Sequence, residues 1–421
     1  MKIKIILISL FYILVSCTQD TPKDSVQQWT NSDTIENNEK ATPFKPFDIS
    51  PQERMDQWQI MSFCKEILKE SIKDSQPNEN VMISPKGIVT ILAMIANGAD
   101  SKTANEITKA IGLDLEALNN IENKTINYLG KADNQVILNQ ANSIWLDNNL
   151  KLSNEYQDFI INTFNADIFQ RELCTSSTRK EINLWCAEKT GGMINNFLTD
   201  NISPQIVVSL INALYFNGKW THPFDKSNTY LDKFYCADGS ISNVKMMHHE
   251  KLEARYGVSK DGGVSIAIPY GNTSFSMIIY LPPKDQSIEE AIKNADFLQI
   301  SRDELRYCIL SIPQFKIENC IANAKDILKS VGIERLFTNN ADFSKIAIGC
   351  NFTDLMQKNS LEINESGSKA ASATGAFFVG TSATNGLLKE PVKIDINRPF
   401  IFTIAGDSDE IHLISGAIRT L

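Results

Sequence analysis

The 421-residue sequence has no hydrophobic run of membrane-spanning length, no dense lysine and arginine stripe, no CxxC pair and no histidines at metal-ligand spacing. Each absence excludes a class of function. A spanning helix needs about 20 apolar residues, and the run at 5–15 is too short. With 41 basic against 50 acidic residues, a net charge of −9, nothing in the chain would neutralise a phosphate backbone, so no nucleic-acid partner is expected. His222, His248, His249 and His412 form neither HExxH nor another ligand pattern, and no metal or other cofactor is proposed. Beyond Cys17 the cysteines (Cys64, Cys174, Cys186, Cys236, Cys308, Cys320 and Cys350) are scattered and odd in number, which is not a disulfide framework. Mostly buried thiols are expected, with one or two bridges left open. There is no internal repeat and no Gly/Ser- or Pro-rich break after about residue 50, so residues 51–421 read as one large domain.

What is present begins at the N-terminus. Lys2 and Lys4 precede the short apolar run, the pattern of a secretory signal. Its end, Leu14-Val15-Ser16-Cys17, resembles the lipobox of bacterial lipoproteins. That resemblance implies a signal peptide over 1–16 and Cys17 as the lipidated new N-terminus; an ordinary signal peptide with a chance cysteine is the alternative. Residues 17–50 are polar and poor in branched apolar side chains, so they bury too little surface to offset chain entropy and read as a flexible tether. The expected location is an exported protein held to a bacterial membrane by lipid alone, at the outer membrane on its periplasmic or cell-surface face.

Along the rest of the chain, apolar residues at helical spacing predict helices over 55–72, 88–98, 102–111, 153–164, 178–194 and 322–330. Ser50-Pro51 and Ser84-Pro85 open the first two. Near-continuous apolar runs predict strands over 136–146 and 206–216, then a strand-rich stretch: 244–247, 265–268, 275–281, 307–315, 360–363, 392–396, 400–404 and 412–418. Helices come mainly first and strands later, which argues for an α+β fold over a doubly wound parallel sheet.

Six blocks in order resemble the serpin family: NVMISPKGIVTIL (80–92), INLWCAEKTGGMINNFL (182–198), NALYFNGKWTHPF (212–224) with its characteristic Trp220, the residues Val244, Met246 and Met247, the stretch 310–343 beginning LSIPQFK, and NRPFIF (397–402). The resemblance covers about 50–421. It implies three β-sheets with about nine helices, an exposed reactive-centre loop, and a main sheet that opens to accept that loop as a new strand. It further implies a monomeric inhibitor, not an enzyme, whose partner is a target serine protease trapped as a covalent acyl complex. The family opens its sheet around a Ser, Asn and His cluster. Ser84 and Asn212 match it, with Trp220 nearby, but Gln357 stands where His is usual; an amide both donates and accepts, without a pH response.

Between the strands 360–363 and 392–396 lie nearly thirty residues, a length that marks a functional or disordered segment. The run Glu365, Ser366, Gly367, Ser368, Lys369, Ala370, Ala371, Ser372, Ala373, Thr374, Gly375, Ala376 is almost entirely small. Were it to enter a sheet, Ser368, Ala370, Ser372, Thr374 and Ala376 would share one face and could lie over a packed core without overfilling it, while Lys369 pointed outward. Counting seventeen residues from Glu365, as the family's hinge does, puts the bait bond between Thr381 and Ser382, preceded by Phe377, Phe378, Val379 and Gly380. Counting back from Arg398-Pro399-Phe400 puts it nearer 385–388, and the hinge count is preferred because the inserted length is what the mechanism constrains. A small residue at the bond suggests an elastase-like or broadly specific target; cleavage after Phe378 or Val379, and papain-like targets, stay open. SxxK occurs at Ser62, Ser177 and Ser366, but without SxN, without GxSxG and with KTG (189–191) in a helical pattern, which speaks against a serine enzyme. The more serious rival is a non-inhibitory serpin acting as a binding or surface protein; its hinge should carry bulky, Pro or charged residues on the inserting face, and this one does not.

Overall fold

The computed structural model describes residues 42–421 except 205, 294–304, 322–323, 351, 353–354, 356, 369–388 and 407–409. In chain order the elements are α1 (Pro51–Asp74), β1 (Val81–Ile83), α2 (Pro85–Gly98), α3 (Ser101–Ile111), α4 (Leu115–Leu129), β2 (Val136–Asp147), α5 (Asn154–Phe164), β3 (Ala166–Arg171), α6 (Ser176–Lys189), β4 (Val208–Lys219), β5 (Thr229–Tyr235), β6 (Ile241–Val258), β7 (Val264–Tyr270), β8 (Phe275–Leu281), α7 (Ile288–Ala291), β9 (Leu305–Pro313), β10 (Phe315–Ile321), α8 (Ala324–Ser330), β11 (Gln357–Asn364), β12 (Gly367–Ser368), β13 (Val392–Asp395), β14 (Phe400–Gly406) and β15 (Ile411–Ile418). This is the α+β arrangement expected, with eight α-helices among the described residues.

The helices start where local chemistry supplies caps. Ser50 and Glu53 form a reciprocal capping box ahead of α1, with Pro51 at its first position. Ser84 caps α2 by accepting from Gly87 N, and every residue of α2 except Asn97 is buried, so this helix is the axis of the core. The helix expected over 178–194 stops at Lys189, because Gly191 and Gly192 take left-handed φ of 54° and 76°. No helix was predicted over α4. Its buried face carries Glu122 and Thr125 beside Leu118, Ile121 and Leu129, so the apolar stripe is broken by polar residues.

One sheet has six strands in the order β10-β11-β12-β4-β2-β3. Its ladders are antiparallel except β2 with β3. The other runs β1-β15-β14-β8-β7-β6-β9-β13, with β5 also on β6. The 18-residue β6 is what joins it: Met246–Arg255 pairs with β9, the register shifts between His249 and Leu252, and the last four residues pair with β7. Two of the three expected sheets are therefore one hydrogen-bonded ladder.

The domain also begins earlier than the expected boundary at 50. Phe47 is 3% exposed and lies 4.8 Å from the ring of Tyr128, whose hydroxyl donates to Lys45 O, while Thr42 N donates to Asn134 Oδ1. Residues 42–49 thus belong to the folded body; one buried aromatic overrides their polar composition. Cys64, Cys186, Cys236, Cys308 and Cys350 are buried free thiols, and Cys174 is free and half-buried. Cys17 lies outside the described residues. No described helix is long and apolar enough to cross a membrane, and no described group of side chains could hold a metal.

Beneath the six-stranded sheet, Lys86 of α2 and Glu122 of α4 form an ion pair whose side chains are 2% and 1% exposed. Thr90 Oγ1 donates to Glu122 at 2.8 Å and accepts from Gln140 Nε2 of β2 at 2.9 Å, so two helices and a strand share one polar node. Removing one partner leaves a buried charge, whereas replacing both with apolar groups does not. Glu122→Ala is expected to cost about 3–5 kcal/mol in urea unfolding, and Lys86→Met with Glu122→Leu to recover most of it; equal losses in both variants would show that the pair is not coupled.

Candidate functional site

The hinge region sits at one end of the six-stranded sheet. β11 ends at Asn364, Glu365 and Ser366 form a tight turn, and Gly367 and Ser368 return as β12 between β11 and β4. β4 and β11 form no ladder with each other among the described residues; β12 pairs with both. Gly367 has φ 143°, and a Cβ there would stand 2.0 Å from Gly218 O, so only glycine passes this close to β4.

Backbone and aromatic contacts grip the turn. Trp220 N donates to Ser366 O at 3.0 Å, Phe224 N to Glu365 O at 2.9 Å, and Trp220 Nε1 to Asn364 O at 2.9 Å. Trp220, 2% exposed, stacks on Tyr270 with ring centroids 4.3 Å apart. The Tyr270 hydroxyl lies 2.7 Å from Ser368 Oγ. Ser368 is buried, on the face that alternation assigned to the core.

Farther down the sheet is a second polar cluster. Gln357 both accepts from Ser84 N at 2.7 Å and donates to Ser84 O at 2.9 Å, and Ser84 Oγ donates to Leu413 O at 2.8 Å. Asn359 Nδ2 donates to Met82 O and Gln357 Oε1, each at 3.2 Å. Asn212 donates to Asn142 Oδ1 at 2.8 Å and lies over Gly87, where its Oδ1 would be 2.3 Å from an added Cβ. Of the four residues expected at the opening region, Ser84 and Gln357 are thus in direct contact and Asn212 is beside them, whereas Trp220 belongs to the hinge grip. Ala370, Ala371, Ser372, Ala373, Thr374, the bait residues Phe377, Phe378, Val379 and Gly380, and the bond Thr381–Ser382 lie outside the described residues. Sequence reading missed Tyr270, Asn359 and Gly87; only the polar tip of Tyr270 at the end of an apolar strand hinted at a buried partner.

Two histidines flank the grip. His249 packs edge-on against Phe224 at 5.6 Å and accepts at Nδ1 from Lys251 N at 3.2 Å. Burial pushes the imidazoles of His222 and His249 below the usual 6.5, and the nearby His222 adds to the effect on His249; Glu253 and Glu250 act in the opposite sense.

Comparison with known proteins agrees with this geometry. The profile of the family described as Serpin (serine protease inhibitor) matches residues 59–420. A serine protease inhibitor of Cyanea capillata is 29% identical over 81% of this chain and 92% of its own. Serine proteinase inhibitor 1 of rabbitpox virus is 30% identical over 83% and 98%. The crystal structure of a thermophilic serpin, tengpin, in the native state superposes with a TM-score of 0.77 at 30% identity, covering 91% of this chain and 98% of that one. These matches and the fold place the chain in one class of protein, the family described as serine protease inhibitors and built on this α+β fold. The chain belongs to the serpin family.

The histidines carry a pH dependence of definite sign. A histidine whose folded pKa lies below 6.5 contributes stability that is full above pH 6.5 and is lost as the pH falls through the lowered value. The melting temperature is expected to fall between pH 7.5 and 5.5, and to fall less steeply in the His222→Gln, His249→Gln double variant; parallel curves would exclude the pair as the cause.

Proposed function

We propose that this serpin inhibits serine proteases as a suicide substrate. The observation that carries this reading is the seat of Gly367 and Ser368 between β4 and β11, with small residues continuing the sequence beyond them. A target protease attacks the loop with its own nucleophile and oxyanion hole and forms its ordinary acyl-enzyme. The inhibitor contributes only the substrate. The freed N-terminal segment then inserts as a strand, and about fourteen residues at ~3.3 Å each carry the attached protease some 45 Å. Each new ladder bond contributes on the order of 1 kcal/mol net, so a full strand can distort the protease before water completes deacylation. Inhibition is a race between those two rates.

The proposed bait bond is Thr381–Ser382, with Phe377 to Gly380 filling the subsites before it. Apolar residues ahead of a small one fit elastase-like or broadly specific serine proteases, and papain-like proteases are a second class to assay. The chain is proposed to act as a monomer after export, held by lipid at Cys17 to the outer membrane, with 1–16 removed.

Mixing the protein with an elastase-like protease should yield an SDS-stable complex, and N-terminal sequencing of the released C-terminal peptide should begin at Ser382. Cleavage without complex, against every protease tried, would point to the non-inhibitory reading. In a bacterial host the full chain should fractionate with membranes, and Cys17→Ser should move it to the soluble fraction; membrane retention of that variant would overturn the lipid anchor.

A further inference from the structure

The two residues of β12 set a register for any strand that continues from them. Gly367 pairs with Lys219 and Ser368 with Gly218 on β4, and on the other side Gly367 pairs with Asn364 and Ser368 with Ile363 on β11. An antiparallel ladder moves back one residue on one strand for each residue gained on the other. An inserted chain would therefore set Thr374 against Asn212 and Gln357, Phe377 against Ser209, and Phe378 against Val208. β11 starts at Gln357, so beyond Thr374 the ladder continues along β4. Opposite residues share a face. Ile211 and Ala213 of β4 pack with Trp145 and Trp185 on the α6 side, while Val208, Leu210 and Leu214 pack on the main core. Ser209 alternates with them onto the α6 side, and so would Phe377.

There is space at that place. A cavity of about 230 Å³ is lined by β4 residues 208–211, by Phe352, and by Phe197, Leu198, Ile202 and Ile206 of the segment after α6. β2 occupies the opposite side of β4 along this stretch, so residues of both faces line one cavity only along the free side, where an inserted strand would run. An apolar cavity of about 150 Å³ is already enough for a benzene ring. The hinge sequence follows the same boundary. Apart from Lys369 on the outer face, every residue from Gly367 to Ala376 is small, and the first aromatic ring comes at Phe377.

We propose that this cavity is a binding site for an aromatic side chain of the protein itself, the phenyl ring of Phe377, filled when the cut loop inserts. The proposal rests on the inhibitory reading above and deepens it. A ring seated at the far end of the strand adds its stabilisation last, so it secures the completed insertion and not the entry of the hinge. Phe377 thus serves two sites in turn, a protease subsite before cleavage and the cavity beside Ser209 after it.

The test compares the intact and the cut full chain by the midpoint of guanidinium chloride unfolding. A metalloprotease makes the cut, because a metal-bound water cleaves without an acyl-enzyme, and material cut on the C-terminal side of Phe378 is selected by sequencing the released peptide. Phe377→Ala is expected to leave the intact midpoint unchanged and to lower that of the cut chain by about 0.5 M, the loss of one buried ring. Phe377→Leu should retain most of the difference. Ile202→Ala removes part of the cavity wall; in the cut chain its loss beyond that of the intact variant should fall well short of adding to the loss from Phe377→Ala, because both remove the same contact. Equal midpoints for cut wild type and cut Phe377→Ala, strictly additive losses, or a cut wild type no more stable than the intact chain would each overturn the proposal. An SDS-stable complex together with additive losses sinks the cavity assignment alone, whereas a ring-dependent gain on cutting without any complex sinks inhibition and leaves the assignment standing. Should Ile202→Ala fail to fold, the two Phe377 variants decide between the same outcomes.

Discussion

Two strands that face each other without pairing set the terms for everything else in this molecule. β4 and β11 run parallel, with β2 and β10 on their far sides, and among the described residues the ladder each forms on its facing side is to the two-residue β12, which is antiparallel to both. Backbone donors and acceptors on such edges demand partners, and a third strand of the same chain is a geometrically natural source. The strand must be narrow as well as correctly polar, because the buried face of β12 meets a core already filled by Tyr270 and Trp220. Gly367, against Gly218 O, is the limiting case of that narrowness.

Amide side chains tie the sheet to the core beneath it. Gln357 of β11 grips both backbone groups of Ser84 at the start of α2, and Asn212 of β4 lies over Gly87 one turn on. Asn142 of β2 completes the row by donating to Phe164 O at 2.8 Å. Amides suit this position because each can donate and accept, so backbone groups of both kinds are satisfied without carrying a charge into the core. At the hinge end the turn's carbonyls are met instead by backbone N–H groups and the indole of Trp220.

Much of this was legible in the sequence, for reasons that particular residues make plain. Ser50-Pro51 and Ser84-Pro85 announce helix starts because their caps are local, and the alternation beyond Gly367 assigns Ser368 to a buried face from strand geometry alone. The family resemblance rested on blocks such as NALYFNGKW, whose Asn212 and Trp220 now prove to serve two different places, one beside α2 and one at the turn. What escaped notice depends on distant partners. α4 hides because Glu122, which looks like a surface residue, is buried against Lys86. Phe47 hides in a polar stretch because its pocket is formed by Tyr128, far along the chain. Tyr270 and Ser368 are 98 residues apart, and nothing local to either names the other.

The Lys86–Glu122 pair also bears on how this sequence can change over generations. Replacing it with an apolar pair takes two separate mutations, and whichever comes first strands a charge in the core at about 3–5 kcal/mol, out of a total stability on the order of 5–15 kcal/mol for a folded protein. The intermediate would sit near the threshold for folding at all. An equally stable core is therefore nearby in composition yet remote by any path of single steps, and the ionic core, once acquired, holds the lineage in place through the instability of its neighbours.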